Sequence, residues 1–184
     1  VWLHAASVGE TMSCLVLIRK ILGDNPKVTV LLTTGTVTSA EMAAKRLPEQ
    51  VIHQYCPVDV PHWVDRFLDH WRPDAALWIE SELWPNLVLR ASRAGIPMAL
   101  VNARLSRRSQ DRWAKTPKTF RNLVSKFSVV LCQTEDGVDA FQSFGITQAE
   151  CVGNLKFSAE PLPIDDGNLA MLKSCIGQRP VWLA

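Results

Sequence analysis

The sequence contains no C-x-x-C pair, and its five cysteines, Cys14, Cys56, Cys132, Cys151 and Cys175, are widely spaced. That pattern argues against a disulfide framework and a zinc site. It favours a reducing compartment, with the cysteines acting as small buried hydrophobes. No apolar run approaches the roughly 20 residues of a membrane-spanning helix, and no signal-peptide pattern opens the chain. A G-x-G-x-x-G after the first apolar run is missing, which argues against a dinucleotide fingerprint. A G-x-x-x-x-G-K-[ST] is missing too, which argues against P-loop chemistry. His4, His53, His62 and His70 lack metal-ligand spacing, and His4 and His53 fall inside strand-like runs, where they read as core histidines. The net charge of +2 says little as a total, so its distribution has to be followed along the chain.

The 184 residues are 47% hydrophobic and 21% charged, the balance of a soluble globular domain and a little more. Apolar, β-branched runs at 1–6, 28–32, 51–55, 75–79, 98–101, 128–132 and 150–152 read as strands buried on both faces, as in a parallel sheet. Helical patterns at 11–22, 38–47, 59–71, 87–94, 117–127 and 135–144 alternate with them, giving a doubly wound α/β domain. Thr38-x-x-Glu41 reads as a capping box, Asp59 with Pro61 as a helix start, and Gly95 and Gly145 as stops. Most of the seven tryptophans are expected in the core. Pro161, Pro163 and Gly167 mark a linker, followed by a helix at 168–176. Val1 already lies in a strand-like run and 179–184 begins another, so the chain reads as a piece of a longer protein. Residues 1–160 form the domain, and 161–184 carry the linker, a helix and the first strand of a second one.

All strands of a parallel sheet end on one edge, so the residues that follow them share a rim, where ligands of such sheets bind. Ser7-Val8-Gly9-Glu10 follows the first run, and Thr33-Thr34-Gly35-Thr36 the second. Glu80-Ser81-Glu82-Leu83-Trp84-Pro85-Asn86 follows the fourth, Asn102-Ala103-Arg104-Leu105-Ser106 the fifth, and Gly153-Asn154-Leu155-Lys156-Phe157 the seventh. Glu10 has two readings. It is the third residue of a capping box begun by Ser7, or an ionised carboxylate, favoured by the helix dipole and free N–H groups, placed to act as a general base. Glu80 follows four apolar residues and is expected half-buried, with Lys156 as its partner. That pair is either a structural ion pair or part of a site.

Arg104, Arg107, Arg108, Arg112, Lys115, Lys118 and Arg121 fall within 18 residues, against the single acid Asp111. Trp113 and Phe120 are interleaved. A solvated face is one reading. The other is a surface for phosphates or anionic lipid, with Trp113 meeting membrane or substrate. Nucleic acid is not favoured, because no recognition motif accompanies the charge.

The blocks His4–Glu10, Glu80–Asn86, Asn102–Ser106 and Gly153–Phe157, in this order over most of the chain, resemble the 3-deoxy-D-manno-octulosonic-acid (Kdo) transferases of lipopolysaccharide assembly. The resemblance implies a GT-B glycosyltransferase, of which this is the amino-terminal Rossmann-like, acceptor-binding domain. The donor, CMP-Kdo, would sit mainly on a second domain. The acceptor would be a phosphorylated lipid A precursor at the cytoplasmic face of the bacterial inner membrane. Transfer would be inverting, with no metal or other cofactor. Glu10 matches the family's general base, and Glu80 and Lys156 match positions assigned to transition-state stabilisation. Ser7, Gly9, Thr34, Gly35, Thr36, Glu82, Asn86, Asn102, Arg104 and Ser106 are candidate substrate contacts. Arg107, Arg108, Arg112, Trp113 and Lys115 are candidate membrane or phosphate contacts. Two other readings stay open: a GT-B transferase using another activated sugar, and a non-catalytic α/β module that binds anionic lipid.

Overall fold

A computed structural model describes residues 1–80, 82–158 and 164–182. Ser81 of the Glu80–Asn86 block, Pro161 and Pro163 of the expected linker, and residues 183–184 lie outside the described residues. Among the described residues, seven strands form one sheet: β1 (Trp2–Ala5), β2 (Val30–Thr34), β3 (Val51–Tyr55), β4 (Ala76–Ile79), β5 (Met98–Ala103), β6 (Val129–Cys132) and β7 (Ala149–Cys151). Every pairing is parallel, in the order β3-β2-β1-β4-β5-β6-β7. The alternating helices are α1 (Val8–Asp24), α2 (Val37–Arg46), α3 (Pro61–Trp71), α4 (Pro85–Arg93), α5 (Arg107–Trp113), α6 (Pro117–Val124), α7 (Glu135–Ser143) and α8 (Asp166–Ile176).

Successive strand residues point to opposite faces, and each face builds its own core. Leu3, Ala5, Leu32 and Ile79 pack with Cys14, Ile18 and Leu22 of α1 and Ala43 of α2. Trp2, Trp78, Met98, Leu100 and Val130 pack on the other face, with Val64 and Phe67 of α3, Leu87 of α4, Phe120 of α6 and Phe141 of α7. Leftward steps along the sheet put their helices on one face and rightward steps on the other, as right-handed crossovers require. The direction changes between β1 and β4, which opens a crevice beyond their carboxyl ends. The expected doubly wound α/β class is therefore the observed one.

Several local expectations change. Thr33 and Thr34 are the last residues of β2 rather than turn residues, and both are buried. Branching at Cβ suits an extended backbone, and Thr33 Oγ1 takes up the Trp2 indole N–H (2.9 Å) and pairs with His4 Nδ1 (3.0 Å). The capping box of α2 is Thr36 with Ser39, not Thr38 with Glu41. Asp59 does not cap α3, which starts at Pro61 after Val60 without a side-chain cap. Its carboxylate instead accepts the N–H groups of Asn86 (3.1 Å) and Leu87 (2.8 Å) at the start of α4. β3 is an edge strand and mostly exposed, so it is not buried on both faces. Only Trp2 and Trp78 of the tryptophans are fully buried, while Trp63, Trp84 and Trp182 are exposed. Trp63 lies on α3, Trp84 just before α4 and Trp182 beyond α8, so position along the elements decides burial, which a residue count does not reveal. Cys14 and Cys132 are buried as expected, but Cys175 is exposed on α8, which buries none of its residues.

Asp59 satisfies two otherwise unpaired N–H groups at a helix start that Pro85 alone cannot satisfy. Asp59→Ala should lower stability by about 1–2 kcal/mol, read as an earlier thermal transition, whereas Asp59→Asn should keep most of it. An unchanged melting curve for Asp59→Ala would show that water serves these groups equally well.

Candidate active site

The crevice between β1 and β4 is flanked by the turns that follow those strands, and these turns carry the acids. Ser7 caps α1, accepting from the Glu10 N–H (3.3 Å). Glu10 turns its carboxylate back over the cap. Oε1 accepts from the Ser7 hydroxyl (2.8 Å) and Oε2 from the Ala6 N–H (2.7 Å). The reciprocal bond therefore reaches one residue further back than in a standard capping box, to Ala6 instead of Ser7. Only 7% of Glu10 is exposed. Burial lifts its carboxyl above the ordinary value. The bonds from Ser7 and Ala6 oppose that shift, and the charges of Glu80 and Glu82 add to it. The helix start alone predicts a well-ionised carboxylate, but desolvation outweighs it.

Glu80 directly follows β4 and lies in the left-handed region, with φ 60°. Its N–H still pairs with the Val101 carbonyl (2.8 Å), which continues the β4–β5 ladder. Glu80 Oε1 and Lys156 Nζ form an ion pair at 3.0 Å, with the two side chains 22% and 46% exposed, so the carboxylate is half-buried as the sequence implies. A Cβ added to Gly9 would lie 3.9 Å from Lys156 Nζ. The ammonium group therefore lies against the first turn of α1 at Gly9, the residue before Glu10. Lys156 comes from a 3-10 turn at Leu155–Ser158, beyond β7. Its own N–H bonds Asn154 Oδ1 (3.0 Å), and the Leu155 N–H bonds Asn102 Oδ1 (3.0 Å). Residues from the ends of β1, β4, β5 and β7 thus meet at one mouth.

The other expected contacts divide. Glu82 lies near enough to Glu10 to raise its pKa. With Trp84, Ser109, Arg112 and Trp113 it also lines a cleft of about 340 Å³. Thr34 Oγ1 is paired with His53 Nε2 (2.9 Å), and Thr36 caps α2. Gly35 passes close to the first turn, since a Cβ there would lie 3.2 Å from the Ala6 carbonyl oxygen. Asn86 gives its amide to the Asp59 carbonyl (2.8 Å) and carboxylate (3.3 Å). Ser106 caps α5 by accepting from Ser109 N–H (3.2 Å). Arg104, Arg107, Arg108, Arg112 and Lys115 lie on and around α5, a helix with no buried residue. Trp113 is half-buried against Phe120, with ring centroids 5.2 Å apart. Gln133 is absent from the residues that the sequence singles out. It directly follows β6 on the same rim, and its amide bonds the Asn102 carbonyl (2.9 Å). The rule that collects the other turns would find it. A wider cleft of about 1020 Å³, lined by Tyr55, Val58, His62, Trp63, Phe67 and Trp71, contains none of the expected residues.

The raised Glu10 pKa has a consequence for stability. With its folded-state pKa above the unfolded value, the group favours folding below the unfolded pKa. That contribution is lost as pH rises through the folded pKa. At neutral pH the ionised carboxylate therefore opposes folding. Glu10→Gln removes the charge while its amide can still accept from Ala6 and donate to the Ser7 oxygen. Its melting temperature at pH 7 should equal or slightly exceed that of the wild type, and the difference should shrink at acid pH. Early melting at pH 7 would mean that the charge itself holds the turn.

A family model described as 3-deoxy-D-manno-octulosonic-acid transferase (kdotransferase) matches residues 1–159. The chain is 38% identical over 98% of its length to a 3-deoxy-D-manno-octulosonic acid transferase of Rickettsia typhi, and covers 39% of that protein. It is 36% identical, over its whole length, to a probable mitochondrial 3-deoxy-D-manno-octulosonic acid transferase of Arabidopsis thaliana, covering 43% of it. It is 30% identical, again over its whole length, to the Haemophilus influenzae transferase, covering 44%. The chain thus spans less than half the length of these relatives. Among solved structures it resembles a UDP-GlcNAc 2-epimerase from Neisseria meningitidis bound to UDP-GlcNAc. The TM-score is 0.64 at 14% identity, over 96% of this chain and 52% of that one. It also resembles S. aureus MnaA with UDP, with a TM-score of 0.62 at 16% identity, over 90% and 47%. At such identities these likenesses speak for the fold, that of a Rossmann-like half of a GT-B protein. With the family match over residues 1–159 and the relatives aligned along nearly the whole chain, the chain belongs to the 3-deoxy-D-manno-octulosonic-acid (Kdo) transferase family.

Proposed function

We propose that the full-length protein transfers Kdo from CMP-Kdo to a hydroxyl of a phosphorylated lipid A precursor, with inversion and without a metal. This chain supplies the acceptor side, at the cytoplasmic face of the inner membrane. The observation that carries the reading is the Glu10 carboxylate. It is buried and raised in pKa, and it is held by Ser7 and Ala6 beside the Lys156–Glu80 pair. A carboxylate has about four lone-pair positions, and two are taken, which leaves room for an acceptor hydroxyl. A base whose pKa is lifted toward the working pH takes a proton more effectively than one left at its ordinary value.

In the proposed reaction Glu10 accepts the hydroxyl proton as the acceptor oxygen bonds the anomeric carbon. The bond from that carbon to the CMP phosphate oxygen breaks on the opposite face, so the configuration inverts and CMP leaves. Lys156 offers positive charge where the donor's carboxylate and leaving phosphate bring negative charge. Glu80 holds the ammonium in place through their 3.0 Å contact. The cations Arg107, Arg108, Arg112 and Lys115 serve the acceptor phosphates or the anionic membrane surface.

Glu10→Gln in the full-length transferase should lower kcat by roughly 10²–10⁴-fold, with acceptor affinity nearly unchanged. The rate of the wild type should fall as acid protonates Glu10, at a pH above that of an ordinary carboxylate. Normal turnover in the Glu10→Gln variant would leave Glu10 as a cap and move the base elsewhere. This chain alone should transfer no Kdo, because transfer needs a reactant held from each side of a cleft.

The basic helix has its own measurement. Replacing Arg107, Arg108 and Arg112 with Ser should weaken binding to anionic vesicles, most strongly at low salt, where screening is least. Equal binding by the variant at low salt would return α5 to the role of a solvated face.

A further inference from the structure

Lys156 sits on a turn with no regular ladder of its own, and something must hold that turn against Glu80. β5 carries a register shift between Leu100 and Ala103, and within it Asn102 adopts φ 57°. Asn tolerates this left-handed region better than other side-chain-bearing residues. The bulge turns the Asn102 side chain toward the chain beyond β7, where Oδ1 accepts the Leu155 N–H at 3.0 Å. The Asn102 carbonyl accepts the Gln133 amide (2.9 Å), and Gln133 Oε1 accepts the Asn154 amide (3.4 Å). Asn154 Oδ1 in turn accepts the Lys156 N–H (3.0 Å). Two routes therefore run from Asn102 to the consecutive backbone N–H groups of Leu155 and Lys156. Asn102 is 1% exposed, and its Nδ2 has no partner among the described residues. An amide buried with a donor unmet is costly, so packing alone does not explain an Asn here.

We propose that Asn102 is a positioning residue. Through its side-chain oxygen and its carbonyl it fixes the 154–156 turn, and so sets where the Lys156 ammonium stands relative to Glu80 and Glu10. It acts on the reaction only through Lys156. The inference rests on the reading in which Lys156 takes part in transfer.

Asn102→Gly separates this role from a backbone one. Glycine accepts the positive φ without strain but removes the acceptor oxygen. In the full-length transferase kcat should fall roughly 10- to 100-fold, the scale of an ångström-sized misplacement. KM for donor and acceptor should stay within about threefold of wild type, given a site whose binding groups are otherwise intact. In a Lys156→Ala background the same change should cost almost nothing further, since residues acting as a unit are not additive. Asn102→Asp, which keeps an acceptor oxygen, should recover most of the loss. Full activity in Asn102→Gly, or an undiminished effect without Lys156, would overturn the proposal. So would an Asp variant as poor as Gly. If Lys156→Ala alone leaves kcat intact, the role given to Lys156 fails instead, which is a distinct result. Should the Gly variant not fold, hydrogen exchange in the wild type still decides. The Leu155 amide must be protected as strongly as the Glu80 amide on the neighbouring ladder, and an unprotected Leu155 would sink the idea.

Discussion

The reversal of strand order between β1 and β4 is the constraint on which the rest of the structure depends. A sheet that grows in both directions from its first strand must send its helices to opposite faces at that point. The turns after β1 and β4 then stand side by side without a connection running between them. Those are the turns that carry Glu10 and Glu80. Each acid is placed by the element it ends or begins. Glu10 is fixed by the first turn of α1, and Glu80 by a backbone still paired with β5 through its N–H. Strand pairing therefore brings together two carboxylates that are far apart in the sequence.

Charge at this mouth is unbalanced. The carboxylates of Glu80 and Glu82 both act on Glu10, and the ion pair joins Lys156 to Glu80. The division has a physical logic. Glu80 and Lys156 are both partly exposed, so solvent screens their attraction and the pair adds little to stability. Glu10 is the more buried acid, and it receives neutral donors, a hydroxyl and a backbone N–H, in place of a full positive charge. A lysine bonded to Glu10 would depress its pKa and weaken it in the proposed role of base. Neutral donors hold its geometry while burial lifts its proton affinity. Capping and proton acceptance are therefore compatible. The same two bonds that close the helix start also leave the carboxylate oriented with lone pairs to spare.

The sheet is legible in the sequence because its strands are short apolar runs separated by helical periods, and seven such runs appear as seven strands. Their polar endings are legible for the same reason, since parallel strands end on one rim. Thr33 and Thr34 look like turn residues because hydroxyls are common in turns. In the structure they extend β2, with their hydroxyls met by Trp2, His4 and His53. Asp59 shows the opposite limit. A helix cap read along the chain assumes a local partner, but its carboxylate serves Asn86, 27 residues further on. Burial of Glu10 is also out of reach, because a helix-start motif carries no information about what packs over it. Tryptophan composition misleads for a related reason: Trp63 lies on α3, Trp84 just before α4 and Trp182 beyond α8, and only the strand tryptophans Trp2 and Trp78 are fully buried.

Neighbouring strands β4 and β5 both terminate near a left-handed residue, Glu80 and Asn102, and neither is glycine. The remaining non-glycine case among the described residues is Arg72, which simply closes α3. Each such backbone costs on the order of 1 kcal/mol. Glycine would remove that cost at either position, but it would also remove a side chain that reaches Lys156 or its turn. Glu80 holds the ammonium group from β4, and Asn102 holds the backbone behind it from β5. A lysine has a long flexible stem, and ordering its head group costs up to about 2 kcal/mol in lost rotamers. Holding it from two sides confines the ammonium to a small region above Gly9 before any substrate arrives. The strain at the two strand ends is thus offset by an order that the proposed transfer would otherwise have to impose during each turnover.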